Sequence, residues 1–138
     1  MNSVNEFELD NCITFWRICV RNKSVSWLME AIFTKNKPVQ DFILEKIDLN
    51  EELPYGKTIL GLALKRSSYT YDLTEVIFLI RKGADPDKKN RFGKTPMQTE
   101  SASFPNYHSL SSKLCKIGFS FSKPFDHERF EEYCKDLD

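Results

Sequence analysis

Apolar residues recur along the chain at the spacing of an α-helix rather than with the alternation of a β-strand. Near the C-terminal end, Phe130, Tyr133, Cys134 and Leu137 stand at positions i, i+3, i+4 and i+7, which is one face of a helix. Similar stripes begin at Cys12, Trp27, Val39, Leu60, Val76 and Tyr107. Most of these segments are about ten residues long, and helices that short are unstable alone. The pattern therefore predicts an all-α fold of short helices that stack on one another.

Segments of the chain also resemble one another. Residues 53–66 read LPYGKTILGLALKR and residues 90–101 read NRFGKTPMQTES, so Gly-Lys-Thr recurs with Gly56 and Gly93 37 positions apart. A helix-end pattern recurs as ILEKIDLN at 43–50, LIRKGADPD at 79–87 and, more weakly, LCKIGFS at 114–120. Ordered recurrence at this period predicts a repeat protein in which each unit packs on its neighbour.

The residue types at the recurring positions have physical reasons of their own. Gly56 and Gly93 stand where a tight turn needs a positive φ. Thr58 and Thr95 carry hydroxyls that can cap the helix that follows. Pro96 suits the first turn of a helix, where its missing N–H group costs nothing. Each unit is thus expected to contain a tight turn followed by a capped helix.

Residues 79–97, LIRKGADPDKKNRFGKTPM, resemble the junction between two ankyrin repeats. In that family a leucine-rich helix is followed by Gly-Ala-Asp, a hairpin and Gly-x-Thr-Pro-Leu. The resemblance is fullest over residues 53–97, weaker over 24–52 and faint over 98–122. The family repeat is about 33 residues long, so the extra residues are expected to form a loop at 66–71, between the two helices of the repeat.

The resemblance implies a short ankyrin-repeat solenoid of helix–turn–helix units, joined by β-hairpin-like loops and closed by divergent capping helices. Ile59 departs from the family's usual Pro, and Gly61 and Gln98 replace its usual His. The last apolar stripe, 130–137, is expected to cover the preceding hairpin as a cap. We expect one domain over 1–138, composed of an N-terminal cap helix at 1–23, a degenerate repeat at 24–52, a repeat at 53–89, a degenerate repeat at 90–122 and a C-terminal cap helix at 123–138.

Composition narrows the classes of protein. A chain of 138 residues suits one domain. The net charge is zero, which gives no whole-molecule argument for nucleic acid or anionic membrane as a partner. No stretch reaches the ~18 apolar residues of a membrane span, and the acidic first residues predict no secretory signal peptide. The four cysteines, Cys12, Cys19, Cys115 and Cys134, form no CxxC pair, so we expect reduced thiols in a cytoplasmic protein.

Candidate catalytic and metal-binding patterns are incomplete. Both Gly-Lys-Thr copies lack the first glycine of a phosphate-binding loop, so Lys57 and Lys94 are interpreted as hairpin residues. A Cys134–His127 dyad would span two helical turns, and Cys134 lies in an apolar stripe. The acidic residues at 85–87 lack the spacing of a calcium loop. We therefore expect no enzymatic activity, no cofactor and no metal.

Charge is distributed unevenly along the chain. Residues 53–94 carry an excess of five positive charges, while 1–52 and 95–138 are both acidic overall. This excess fits either a solvated repeat surface or a binding site for a partner. In the ankyrin family the hairpin tips and the inner helix face carry specificity, and the resemblance assigns that role to Tyr55, Lys57, Lys65, Arg66, Lys89, Arg91, Phe92 and Lys94.

Two functions agree with these features. The first is an adaptor, decoy or effector that docks a cellular partner protein with an acidic surface, in the host cytosol if it is an effector. The alternative is a stoichiometric enzyme inhibitor of the immunity or antitoxin type. Nucleic-acid binding through the basic segment is disfavoured, since the local excess is modest and no aromatic platform repeats along it. We expect a monomer or weak dimer without a membrane partner.

Overall fold

The computed structural model describes residues 32–33, 37–101, 104, 107–120 and 122–137. Over these residues the chain is all-α, without a β-strand, and the prediction of the fold class is confirmed. In this described part, six α-helices follow one another: α1 Lys37–Lys46, α2 Ile59–Thr70, α3 Thr74–Arg81, α4 Pro96–Glu100, α5 Tyr107–Lys116 and α6 His127–Leu137. A short 3-10 helix, Pro54–Gly56, precedes α2. The cap helix expected at 1–23 and the cysteines Cys12 and Cys19 lie outside the described residues.

A single apolar core runs through the helices. α2 packs against α3 and α4, and α5 packs against α6. The stripes predicted from the sequence supply most of the buried side chains: Leu60, Ala63 and Leu64 on α2, Val76 and Ile77 on α3, and Leu110 and Leu114 on α5. On α3, Leu79 is buried and the predicted Ile80 is only partly buried. The helices are therefore held together mainly by burial of apolar surface.

Two tight turns with the same hydrogen-bond pattern precede α2 and α4. The Leu53 N–H group donates to the Lys57 carbonyl at 2.7 Å, and the Asn90 N–H group donates to the Lys94 carbonyl at 2.9 Å. These two pairs are 37 residues apart in the sequence, like the glycines inside the turns. The turns therefore share their closing hydrogen bond and a left-handed glycine, as the recurrence of Gly-Lys-Thr predicts. They differ at the residue before that glycine, because Tyr55 is left-handed with φ of 64° and Phe92 is not.

Threonine caps the helix after each turn. Thr58 Oγ1 accepts from the Gly61 N–H group at 3.0 Å, and Thr95 Oγ1 accepts from the Gln98 N–H group at 3.2 Å. The Gln98 side chain in turn accepts from the Thr95 N–H group at 3.0 Å, which completes a capping box. The predicted capping roles are confirmed.

The recurring helix ends also share one geometry. The Ala84 N–H group donates to the Leu79 carbonyl at 2.9 Å, and the Phe119 N–H group donates to the Leu114 carbonyl at 3.0 Å. In both, the donor lies five residues after the acceptor and directly follows a positive-φ glycine, as in the Schellman motif that ends many helices. The faint third copy at 114–120 thus has the structure of the clearer copy at 79–87.

The predicted loop at 66–71 is wrong. α2 continues to Thr70, and the break lies at residues 71–73. The buried Ser67 and Ser68 hydroxyls donate to the Leu64 and Lys65 carbonyls at 2.6 and 2.5 Å, so they are satisfied inside the helix. Tyr71 then ends α2 in a left-handed conformation with φ of 60°. The residues predicted to form the loop extend the helix instead.

The C-terminal helix covers the last helix end in part as predicted. Asp126 Oδ1 caps α6 by accepting from the Arg129 N–H group at 3.0 Å. Phe130 and Cys134 are buried, and Tyr133 packs partly against the core. Leu137 is different, because 53% of it is exposed. The predicted apolar stripe therefore extends beyond the core that it covers.

Candidate partner-binding surface

The two turns dock onto each other through one side-chain amide. Asn90 Nδ2 donates to the Gly56 carbonyl at 2.9 Å. Asn90 Oδ1 accepts from the backbone N–H groups of Phe92 at 2.9 Å and Lys94 at 3.1 Å. One residue thus shapes its own turn and joins it to the turn of the preceding unit.

Gly56 has two reasons to be glycine. Its φ is 71°, in the left-handed region that glycine adopts without strain. A Cβ atom there would stand 2.6 Å from Asn90 Nδ2 and 2.9 Å from Cδ2 of Phe92. The Phe92 ring therefore lies directly against the Gly56 backbone. The sequence pattern predicts the turn at Gly56 but contains no signal for this contact.

An ion pair fixes the second turn to the chain ahead of the first. The Arg91 N–H group donates to Glu52 Oε1 at 2.8 Å, and Arg91 Nε pairs with Glu52 Oε2. The hydrogen bond from the Arg91 side chain is the main cause of a lowered pKa at Glu52. The Arg91 guanidinium carbon also lies 5.9 Å from the centre of the Phe92 ring, within cation–π range.

Exposed aromatic side chains stand at equivalent positions of the two turns. Tyr55 is 69% exposed and Phe92 is 63% exposed. In folded proteins, aromatic side chains are on average more buried than this. Lys89 and Lys94 are also exposed, and both lie within three residues of Phe92 in the sequence. We call Tyr55, Lys89, Arg91, Phe92 and Lys94 the hairpin surface.

The structure gives Lys57 a different environment from the rest of the predicted site. Its Nζ lies 3.1 and 2.9 Å from the two carboxylate oxygens of Glu100, a residue of α4 that is fully buried. The Lys57 ammonium is thus engaged inside the fold, and we leave it out of the hairpin surface.

Lys65 and Arg66 stand elsewhere along α2. Arg66 lies about 10 Å along the helix from Ile59, at 1.5 Å per residue. Its Nε pairs with Glu75 Oε1 of α3 at 3.3 Å, which directs the guanidinium toward the neighbouring helix. Lys65 is half-buried. Of the eight residues predicted for the site, five make up the hairpin surface and three lie apart from it.

Other chemistry finds little support in the described part of the chain. Within that part, no group of three or more His, Cys, Asp or Glu side chains could hold a metal ion. None of its helices is long and apolar enough to cross a membrane. Cys134 is buried while His127 is exposed, although they share α6. That difference in exposure argues against a dyad of the two.

We compared the chain with protein-family models, curated proteins and solved structures, and none of the three comparisons found a match. The proposals that follow therefore depend on the repeated geometry and on the surfaces of the described residues.

Proposed function

We propose that this chain is an ankyrin-type repeat protein that acts by binding another protein through the hairpin surface. The observation that carries the proposal is the pair of exposed aromatic side chains, Tyr55 and Phe92, on two docked turns that are closed by equivalent hydrogen bonds. Tyrosine, other aromatics and arginine dominate the energetics of protein interfaces. When a partner covers these two rings, their apolar surface is removed from water, which favours binding.

The ankyrin-type assignment is supported by three recurring structures. The tight turn, the threonine cap and the glycine-containing helix end each occur at least twice, at spacings of 35 to 37 residues. Their order along the chain is the order that the family resemblance implies. Stacked helical units of this kind present their connecting turns along one edge, where several turns can contact one partner.

Rigidity and charge add to the case for the hairpin surface. Asn90 and Arg91 tie the second turn to Gly56 and Glu52, so little conformational freedom remains to be lost on binding. Lys89, Arg91 and Lys94 give the surface a positive potential, which attracts an acidic partner and raises its association rate. An adaptor, decoy or effector that docks an acidic protein is the function these features support best.

Site-specific crosslinking tests the proposal. A photoreactive phenylalanine analogue replaces Phe92 in one variant and Glu131, an exposed residue of α6, in a control variant. We expect a partner to be captured from cell lysate at position 92 and not at 131, and mass spectrometry then identifies it. If the captured protein is an enzyme that loses activity on binding, the inhibitor function is favoured over the adaptor function.

Affinity measurements with the purified partner complete the test. Phe92→Ala is expected to weaken binding by about 1–3 kcal/mol, as truncation of a hot-spot side chain does. The double variant Lys89→Glu/Lys94→Glu is expected to slow association and to flatten its salt dependence. Unchanged affinity in both variants would place the interface elsewhere on the chain.

A further inference from the structure

A groove of about 940 Å³ lies where α3, α5 and α6 meet, apart from the hairpin surface. On α3 its lining includes Thr74, Ile77, Phe78 and Arg81, which stand at i, i+3, i+4 and i+7 along one face of the helix. A volume of this size is at the upper end of the range for ligand pockets. The groove is thus large enough for a row of side chains and not only for a small molecule.

The floor of the groove is apolar. Ile77 and Phe78 of α3 face Tyr133 and Leu137 of α6, which lie one helical turn apart. Leu137 is the residue whose predicted place in the core is not confirmed, since half of it is exposed. Its side chain continues the apolar stripe of α6 out of the core and into this groove. Among the described residues, Phe33 and Lys82 contact the Phe78 ring, and the remaining apolar surface of α3 and α6 lines the groove.

The rim of the groove is strongly positive. Arg81 and Lys82 stand at the end of α3, and Lys113 and Lys116 stand in the last turn of α5. Lys113 Nζ donates to the Tyr71 carbonyl at 3.1 Å and lies 5.4 Å from the Tyr71 ring centre, which holds this ammonium at the edge.

One carboxylate, Asp72, stands among the described residues that line the groove. Asp72 Oδ1 accepts from the N–H group of Thr74 at 2.9 Å and from its hydroxyl at 2.5 Å. These hydrogen bonds from Thr74 are the main cause of a lowered pKa at Asp72, and the nearby charge of Lys113 adds to it. Four positive side chains against one engaged negative one leave the groove with a surplus of positive charge.

Neutralisation of helix ends explains these cations only in part. Basic side chains at a helix C-terminus are stabilised by the helix dipole. That effect accounts for the positions of Arg81 and Lys116 within their own helices. It gives no reason for the exposed Leu137 or for the open apolar floor between the two basic pairs, since a dipole does not act on an apolar side chain.

We propose that the groove binds an amphipathic helix of a partner protein, whose apolar stripe fills the floor and whose acidic side chains pair with the rim. Apart from the turn at 71–73 and Lys82, the lining residues stand on helices, whose backbone groups are bonded internally. Recognition must then use side chains, as in helix-in-groove complexes, and not an added β-strand. The eight residues of α3 extend over about 12 Å, which matches roughly two turns of a bound helix.

A synthetic peptide serves as the probe for this proposal. It is a labelled helical peptide with leucines at i, i+3, i+4 and i+7 and glutamates on both flanks of that stripe. One control peptide carries lysines in place of the glutamates, and a second has the same composition in an order that places no leucines on one face. We expect the full chain to bind the acidic peptide about tenfold more tightly than either control, measured by fluorescence anisotropy. Absence of that preference would contradict the proposal.

Variants locate the binding. Lys113→Glu/Lys116→Glu is expected to weaken peptide binding about tenfold or more, whereas Lys89→Glu/Lys94→Glu, with the same change in net charge, is expected to leave it unchanged. Leu137→Ala removes a half-exposed side chain without opening the core, so it keeps the test valid if the double reversal impairs folding. It is expected to weaken binding several-fold. Equal loss in the groove and hairpin reversals would indicate non-specific attraction and would overturn the proposal.

Two further measurements distinguish other occupants of the groove. If sedimentation shows a dimer that Leu137→Ala abolishes, a second copy of the chain covers the groove, and the proposal is wrong. It is equally wrong if anionic phospholipid vesicles bind more tightly than the acidic peptide and lose binding in the groove variants. The hairpin surface is not involved in these assays, so they can fail while the proposed function stands.

Discussion

Two units of the chain can be compared residue by residue: unit A, residues 53–84, and unit B, residues 90–119. Both begin with a turn closed by an equivalent hydrogen bond and with a threonine cap, and both end with the same glycine-containing helix end. Between these fixed points the first helix has 12 residues in unit A and 5 in unit B. The turns and helix ends are set by local hydrogen bonds and by glycine, whereas the helix length follows from what each unit packs against.

The same comparison separates two lysines that occupy one motif. Lys57 and Lys94 both follow glycine and precede threonine, 37 residues apart. Lys57 of unit A is half-buried against the carboxylate of Glu100, which unit B supplies. Lys94 of unit B is exposed. The motif therefore determines the backbone of the turn, and the neighbouring unit determines what the lysine does.

The largest expected effect is on thermal stability, and it follows from deletion of the C-terminal segment that packs on unit B. Deletion of residues 126–138 exposes the surface that Phe130 and Cys134 bury. Burial of these side chains and part of Tyr133 is worth about 4 kcal/mol, so the melting temperature should fall by about 10 °C or more. Circular dichroism during heating measures this. Deletion of residues 137–138 alone is the control, and an equal effect of the two deletions would contradict the cap assignment.

A smaller effect is expected from charge reversal at the two equivalent lysines. Lys57→Glu sets a second carboxylate against the buried Glu100, which should lower the free energy of unfolding by about 3 kcal/mol. Lys94→Glu changes an exposed side chain and should stay within about 0.5 kcal/mol of the wild type. Urea denaturation gives both values. Glu100→Gln combined with Lys57→Glu should recover part of the loss, and equal losses for the two single variants would refute the difference between the units.

Substitution of the two turn glycines tests whether the turns of the two units are docked. Gly93→Ala places a Cβ in open space, so its cost is that of the left-handed conformation, about 1 kcal/mol. Gly56→Ala has that cost and also a clash with Asn90 and Phe92, which should add at least about 1 kcal/mol. Urea denaturation checks the difference in the free energy of unfolding between the two variants. Similar stabilities of the two variants would show that the turns are not docked as described.

The sequence was sufficient for features that depend on neighbours along the chain. Helical periodicity, the turns at Gly56 and Gly93 and the threonine caps are all local, and each is confirmed. Features that depend on distant residues were not predictable. The carboxylate that pairs with Lys57 lies 43 residues further along the chain. Leu137 is the last residue of an apolar stripe, but it remains half exposed. The helix through Ser67 and Ser68 was missed for another reason, because polar residues favour turns unless their hydroxyls bond back to the helix, as they do here.

The smallest expected effect concerns the attachment of unit B's turn to Glu52 at low pH. Arg91 lowers the pKa of Glu52 below its ordinary value of 4.5, so in the unfolded chain this carboxyl takes up its proton at a higher pH than in the folded one. The ion pair therefore stabilises the fold fully above pH 4.5, and its contribution declines as the pH falls through the lower, folded pKa. Because the pair is exposed to solvent, we expect a local change rather than unfolding. In an NMR titration from pH 6 to pH 3, the Arg91 amide signal should move with a midpoint below 4.5, and in Glu52→Gln that transition should be absent. A midpoint at or above 4.5 would show that Arg91 does not hold Glu52 in solution, and the turn of unit B would then be held by Asn90 and Phe92 against Gly56.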